Sequence, residues 1–376
     1  MSTSLARLGS TPEDYERIGI KPDQVLPWED GARTDGRAGT YEWWYFDARL
    51  DDGAKLVVTF FTKNFTDIDR PLTPMMRIDL DLPDGTSYNK IAEWKPEEFA
   101  ASSDHCDVRI GDNSFTGDLH SYKITAHIED VAVDINLAGK VPAWRPGTGH
   151  MYFGPKDEHE FNWLPAVPEG KVDASYSVAG KAYTASGVGY HDHNWGNAPI
   201  ASLINHWYWA RGQAGPYTTI ASYITAEEKY GNTELPVFVL ARDGRVVADD
   251  ATRVSFQELG TYTDTNTGKP VANVTRYTYT DGDDTYIVTF TRYRDLAVME
   301  LINGLHGAKK LAARLIRFDG AYLRFTGELR IEHRRSDTVV NSYTDSAIWE
   351  LMYLGKTAGQ RSNHRQPGAA VLERSG

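Results

Sequence analysis

Residues 187–200 read GVGYHDHNWGNAPI, and two histidines, an aspartate, a tyrosine and a tryptophan fall within positions 190–195. These side chains can give up a proton, accept one, or face a cation. On an extended strand, residues two apart share a face. His191, His193 and Trp195 therefore point one way, and Tyr190 and Asp192 the other. Two histidines in this spacing are also how some barrel metal sites begin. Such sites need a third ligand, usually a carboxylate shortly downstream, and the next positions are Asn194, Gly196, Asn197 and Ala198. The expectation is no metal.

Three other stretches carry similar groups. In YEWWYFD, residues 41–47, Trp43 and Tyr45 share one face, with Glu42, Trp44 and Phe46 on the other. A carboxyl group such as Glu42 among aromatics is desolvated, which pushes its pKa up toward a form that can donate a proton. In HWYWARGQ, residues 206–213, Trp207 and Trp209 form a wall, and Tyr223 is expected to return beside it one hairpin later. In IWELMYLG, residues 348–355, Glu350 stands between Trp349 and Leu351, a second acid in apolar company.

Together these groups suit the addition of water to an alkene. The alkene is protonated at carbon, and water captures the resulting tertiary cation. The first step needs an acid still protonated near neutral pH. The cation needs electron-rich faces, each contributing roughly 0.5–2 kcal/mol. A neutral imidazole can orient water or take its proton. The expected roles are Asp192 as acid and His193 as water-orienting base, with Trp43, Trp195, Trp207 and Trp209 as walls. Tyr45 and Tyr190 are further ligand contacts, and no cofactor is called for.

The elements that must position these residues are strands. Short β-rich runs with Asp-Gly turns fill most of the chain, as in RIDLDLP, where Ile78, Leu80 and Leu82 alternate with Asp79 and Asp81. The 376 residues exceed one ordinary core, and aromatics at 12% imply large apolar surfaces. The expected class is all-β: two lipocalin-like barrels side by side, residues 38–203 and 204–356. An arm over 1–37 precedes them and a tail over 357–376 follows. Residues 140–170, rich in Pro, Gly and Trp, read as a long ordered loop. LAVMELINGLHGAKKLAARLI, residues 296–316, reads as a helix interrupted at its glycines.

Exclusions follow from composition. A formal charge of −12 disfavours nucleic acid and anionic membranes. Cys106 is the only cysteine, so neither an intrachain disulfide nor a thiolate cluster can form. No apolar run reaches the ~18 residues of a membrane span, and the expected location is cytoplasmic. The expected partner is a small apolar molecule; oligomeric state is not legible.

EWWYFD, GYHDHNWG, WYWARGQ and FDGAYLRFTGELRIE together resemble the carotenoid 1,2-hydratase group. That group includes hydroxyneurosporene synthase, the AttH-like proteins and kievitone hydratase, and is remotely similar to the fungal Diels–Alderases. The resemblance implies paired lipocalin-like barrels and either water addition to an alkene or intramolecular cycloaddition. It maps the group's H-x-W onto His193 and Trp195 and a downstream tyrosine onto Tyr223. Thr225 stands where the group's aspartate proton donor is expected, so Asp192, Glu42 or Glu350 must serve if the reaction is hydration. A cyclase that merely folds a polyene and a non-catalytic carrier of an apolar ligand are the competing readings.

Overall fold

The computed structural model describes residues 5–301 and 320–356. Two curled antiparallel sheets, each a lipocalin-like half-barrel, lie side by side. The first draws on strands up to Gly196; the second starts at Ile204, after a single helical turn over Ile200–Leu203. The strand Tyr41–Leu50 lies centrally in the first sheet, between Lys55–Phe61 and Lys181–Gly196. In the second, Thr338–Tyr353 lies between Ile204–Ala214 and Ala321–Arg335. Glu350 is therefore on a central strand.

Period-two alternation builds three cores from these sheets. Trp44, Phe46 and Ala48 fill the hollow of the first sheet with Val58, Phe60 and Ile78. Tyr208, Ala210, Leu351 and Trp349 fill the second. The opposite faces of the same strands meet in a third core between the sheets, which takes Tyr41, Trp163, Tyr190, Ile220 and Ile224. Polar ties cross the same junction: Arg211 pairs with Asp47, and Thr218 Oγ1 donates to Glu169 Oε2 at 2.6 Å.

Two expectations are corrected. Residues 140–170 are not one loop, because they contain the strand His150–Phe153 and the first half of His159–Val178. Pro165 and Pro168 cannot donate to a ladder, and the pairing with Lys181–Gly196 slips around each of them. The strand Asp284–Glu300 also runs through Leu296–Glu300, where a helix was expected to begin. The rest of that helix, from residue 302 to 316, and the tail from 357 lie outside the described residues.

The N-terminal arm does more than cover the fold. Its strand Ala6–Leu8 pairs with His150–Phe153, and the helix Pro12–Ile18 follows with Thr11 and Asp14 in a capping box. A 3₁₀ turn over Pro27–Asp30 then dips into the first sheet and buries Glu29 and Asp30. Glu29 pairs there with the buried Arg145 at 3.1 Å.

Gly187 pairs with Leu50 where Lys181–Gly196 runs antiparallel to Tyr41–Leu50. A Cβ there would fall 2.2 Å from the Arg49 carbonyl oxygen and 2.8 Å from the Leu50 Cα. Backbone cannot move aside as a side-chain tip can. Gly187→Ala is expected to cost about 1–3 kcal/mol, read from the denaturant midpoint.

Candidate functional site

The strand Lys181–Gly196 is shared by two environments. His191 and His193 face the hollow of the first sheet; Tyr190, Asp192 and Asn194 face the second sheet. The chemistry-bearing residues are thereby sorted into separate clusters.

Inside the first sheet, Asp30 Oδ2 accepts from the Tyr122 hydroxyl at 2.6 Å and lies 3.2 Å from His191 Nε2. His193 Nε2 donates to Glu42 Oε1 at 2.7 Å, and its ring stacks on Trp44 at 4.6 Å. Glu42 also accepts from the backbone N–H of Arg33 (2.6 Å) and from Thr34 N–H and hydroxyl (both 2.9 Å). Asp30, Glu42, His191 and His193 are essentially inaccessible, at 0–1% exposure. Burial would raise the Asp30 pKa, but the His191 charge and hydrogen bond, with His193 and Tyr122, bring it below the usual range. Burial likewise pushes His191 down, yet Asp30 and the Tyr45 carbonyl outweigh it and leave it raised. Trp195 stands at the end of this hollow and lines a cavity of about 560 Å³ with Leu164, Glu160 and His150. The Trp195 indole N–H reaches the Asn162 side-chain oxygen at 2.8 Å when that amide is oriented to satisfy both of its ends. Burial holds His150 neutral, with a pKa lowered to about 4, and raises that of Glu160.

Between the sheets the groups are different. Asp192 Oδ2 accepts from Trp163 Nε1 at 2.8 Å and from the Tyr190 hydroxyl at 2.7 Å, while Oδ1 accepts from Asn194 at 3.0 Å. Burial is the largest influence on Asp192 and raises its pKa to about 6, against the opposing pull of Tyr190, Trp163 and His191. Tyr190 meets Trp209 edge-on at 5.8 Å and Tyr45 at 6.3 Å, and the Arg211 guanidinium lies over its ring at 4.9 Å. Glu350 reaches the same junction from the second sheet, accepting from Trp207 Nε1 at 3.4 Å. Burial raises its pKa as well; Tyr322, Trp207 and Arg324 oppose the shift, and the Asp192 charge adds to it. Trp43 continues this face, stacked on Tyr41 at 5.5 Å.

Tyr223 is in a third place. It pairs with Tyr208, points into the second sheet and stacks on Phe256 at 4.1 Å. It does not return beside Trp207 and Trp209, because alternation sends it to the other face of the sheet.

The sequence-predicted residues are thus divided. Asp192, Glu350, Tyr45, Tyr190, Trp43, Trp207 and Trp209 come together between the sheets. Glu42, His193 and Trp195 lie inside the first sheet, and Tyr223 inside the second. Asp192 and His193, expected to work as acid and base on one substrate, project from opposite faces of their strand. Sequence reasoning missed Asp30, Trp163, Arg211 and Tyr322. Asp30 sits in an aperiodic arm and Trp163 in a stretch whose prolines concealed a strand.

The Asp30–His191 pair carries a pH signature. A raised His191 contributes stability that is full below its unfolded pKa of about 6.5 and lost as pH rises through the higher folded value. A lowered Asp30 contributes stability that is full above about 3.9 and lost as pH falls through the lower folded value. The pair is therefore fully effective between roughly pH 4 and 6.5. Asp30→Asn is expected to cost about 3–5 kcal/mol in that window and to flatten the alkaline fall in stability, read from urea midpoints across pH.

Comparison with known proteins adds descent to this geometry. A family model described as Diels-Alderase-like matches residues 37–278. The chain is 26% identical over 210 residues to the quinolone epoxide rearrangement protein penF of Penicillium thymicola, covering 50% of this chain and 57% of that protein. It is 27% identical over 206 residues to hydroxyneurosporene dehydrogenase of Chlorobaculum tepidum, covering 46% and 53%. With the Diels-Alderase ucsH of Acremonium sp the match is 24% over 355 residues, covering 86% and 79%. The chain thus spans little more than half the length of the first two. Among solved structures, the AttH-like protein of Nitrosomonas europaea superposes with a TM-score of 0.56 at 18% identity, over 88% of this chain and 98% of that one. Kievitone hydratase from Nectria haematococca gives 0.52 at 14% identity, over 93% and 97%. These two likenesses concern the fold, and they agree with the paired sheets seen here. The family match spans both Lys181–Gly196 and Ile204–Ala214, the strands that face each other across the junction: the chain belongs to the Diels-Alderase-like family, a family of enzymes.

Proposed function

We propose that the chain is a hydratase that adds water to an alkene of an apolar, isoprenoid-type or prenylated natural product, by protonation to a carbocation. The observation that carries this reading is Asp192: a carboxyl only 8% exposed, raised to about pKa 6 by burial, and held among Trp163, Tyr190 and Asn194. The protonated form delivers its proton to the alkene carbon. Trp207, Trp209, Tyr45 and Tyr190 supply the electron-rich surroundings for the cation. Glu350 is the second carboxyl at the junction, and two like-charged acids in one low-dielectric place do not both ionise readily. One then serves as acid while the other accepts the proton of the attacking water. In this reading His193 takes no part in that step: it projects from the opposite face of the strand, and its Nε2–H is held by Glu42.

The same protonation followed by internal capture of the cation gives a cyclised or rearranged isomer with no water added. The names of the relatives, an epoxide rearrangement protein and Diels-Alderases, favour keeping that second reading. Incubating prenylated phenols and acyclic isoprenoids with the chain in ¹⁸O-water separates the two. Hydration gives a product heavier by one labelled water, and cyclisation gives an isomer of unchanged mass.

Asp192→Asn is expected to lower turnover about 10²–10⁴-fold while substrate still quenches tryptophan fluorescence. Near-normal turnover in that variant, with loss in Glu160→Gln, would move the chemistry to the cavity beside Trp195. With Asp192 as acid, activity falls as pH rises through about 6, since only the protonated form donates. Tyr223→Phe is expected to leave both turnover and the pH profile unchanged.

A further inference from the structure

The histidine pair at 191 and 193 has no carboxylate shortly downstream, but the fold supplies one from 161 positions upstream, Asp30 in the arm. How the two rings are held decides what lies between them. His191 gives its Nδ1–H to the Tyr45 carbonyl at 2.9 Å, so Nε2 is its inward nitrogen. His193 gives its Nε2–H to Glu42 at 2.7 Å, so Nδ1 is its inward nitrogen. Each imidazole has its outer nitrogen tied to a fixed acceptor, the arrangement that orients histidines toward a metal.

The inward nitrogens meet the two oxygens of one carboxylate. His191 Nε2 is 3.2 Å from Asp30 Oδ2, and His193 Nδ1 is 3.4 Å from Asp30 Oδ1. In neutral imidazoles these are lone pairs facing lone pairs, so positive charge lies between them: the proton of the Asp30–His191 pair in the metal-free chain, or a bound cation in its place. Asp30 Oδ1 and His193 Nδ1 are buried, and neither makes a hydrogen bond among the described residues. The Cys106 sulfur is the other donor, and Asp30, Cys106 and His191 each present a ligand atom within 4.8 Å of the others. Zinc bound tetrahedrally to nitrogen and oxygen at about 2.0–2.1 Å holds its donors roughly 3.4 Å apart.

We propose that Asp30, His191 and Cys106, whose ligand atoms all lie within 4.8 Å of one another, form a binding site for a zinc-type divalent cation that ties the N-terminal arm into the first sheet, with His193 beside it on the other oxygen of Asp30. Borderline-soft N, O and S donors select that class over magnesium or calcium. Cys106 donates its S–H to the Phe115 carbonyl at 3.6 Å; binding as thiolate breaks that S–H bond and releases the proton to solvent. The site lies on the opposite face of the strand from Asp192, and a cation that binds only the folded chain raises its melting temperature.

Cobalt(II) tests the assignment through its spectrum. The full chain is unfolded in guanidinium with EDTA, refolded with or without Co²⁺ and desalted. The expected result is one cobalt retained per chain, a thiolate-to-cobalt charge-transfer band and a higher melting temperature than the metal-free chain. Cys106→Ala should lose the band and hold cobalt more weakly, and Asp30→Asn should lose retention. Zinc content of natively purified chain from zinc-supplemented culture gives the same reading without refolding, with one zinc per chain expected. Absence of retained metal by both routes overturns the proposal. Retention with no charge-transfer band, or equal retention in Cys106→Ala, also overturns it, since the ion then lies elsewhere.

Discussion

The strand Lys181–Gly196 belongs to the first sheet by its hydrogen bonds and to the junction by its outer face. Extended backbone turns successive side chains in opposite directions. His191 and His193 are therefore committed to the interior, and Tyr190, Asp192 and Asn194 to the meeting surface with the second sheet. Tyr41–Leu50 and Ile204–Ala214 obey the same alternation, so the hollows and the cleft between them are populated by residues interleaved one by one in the sequence.

The two populations solve the cost of buried charge differently. Inside the first sheet, acids and imidazoles are matched: Asp30 with His191, and Glu42 with His193, Thr34 and the Arg33 backbone. Breaking such a set exposes an uncompensated charge to a low-dielectric interior, which is far costlier than never forming it. Between the sheets, Asp192 accepts from the neutral donors Trp163, Tyr190 and Asn194, and among the described residues no cation hydrogen-bonds to it. Burial then prevails, and the carboxyl moves toward its protonated form. The matched set holds the arm in place. The unmatched acid is the one available for proton transfer.

Much of this was legible in order along the chain. The alternation in YEWWYFD and HWYWARGQ correctly separated Trp43 and Tyr45 from Trp44 and Phe46, and Trp207 and Trp209 from Tyr208. The pattern fails where local chemistry obscures it. Pro165 and Pro168 made a strand look like a loop, because a residue without an N–H breaks the ladder while the chain remains extended. Leu296–Glu300 has a run of apolar residues compatible with helix or strand, and pairing with Ala321–Arg324 decides for strand.

What the sequence by itself determined is periodicity and inventory: a mostly β chain, its aromatic faces, and the acids embedded in them. These depend on neighbours one or two residues away. Which acid meets which base was decided only by tertiary structure. His193 stands next to Asp192 in the chain yet bonds Glu42, 151 positions away, and His191 bonds Asp30, 161 positions away. The physical reason is that electrostatics and desolvation act through space across paired strands. A strand places adjacent residues on opposite sides of a sheet and leaves their partners to be chosen by whatever packs against each side.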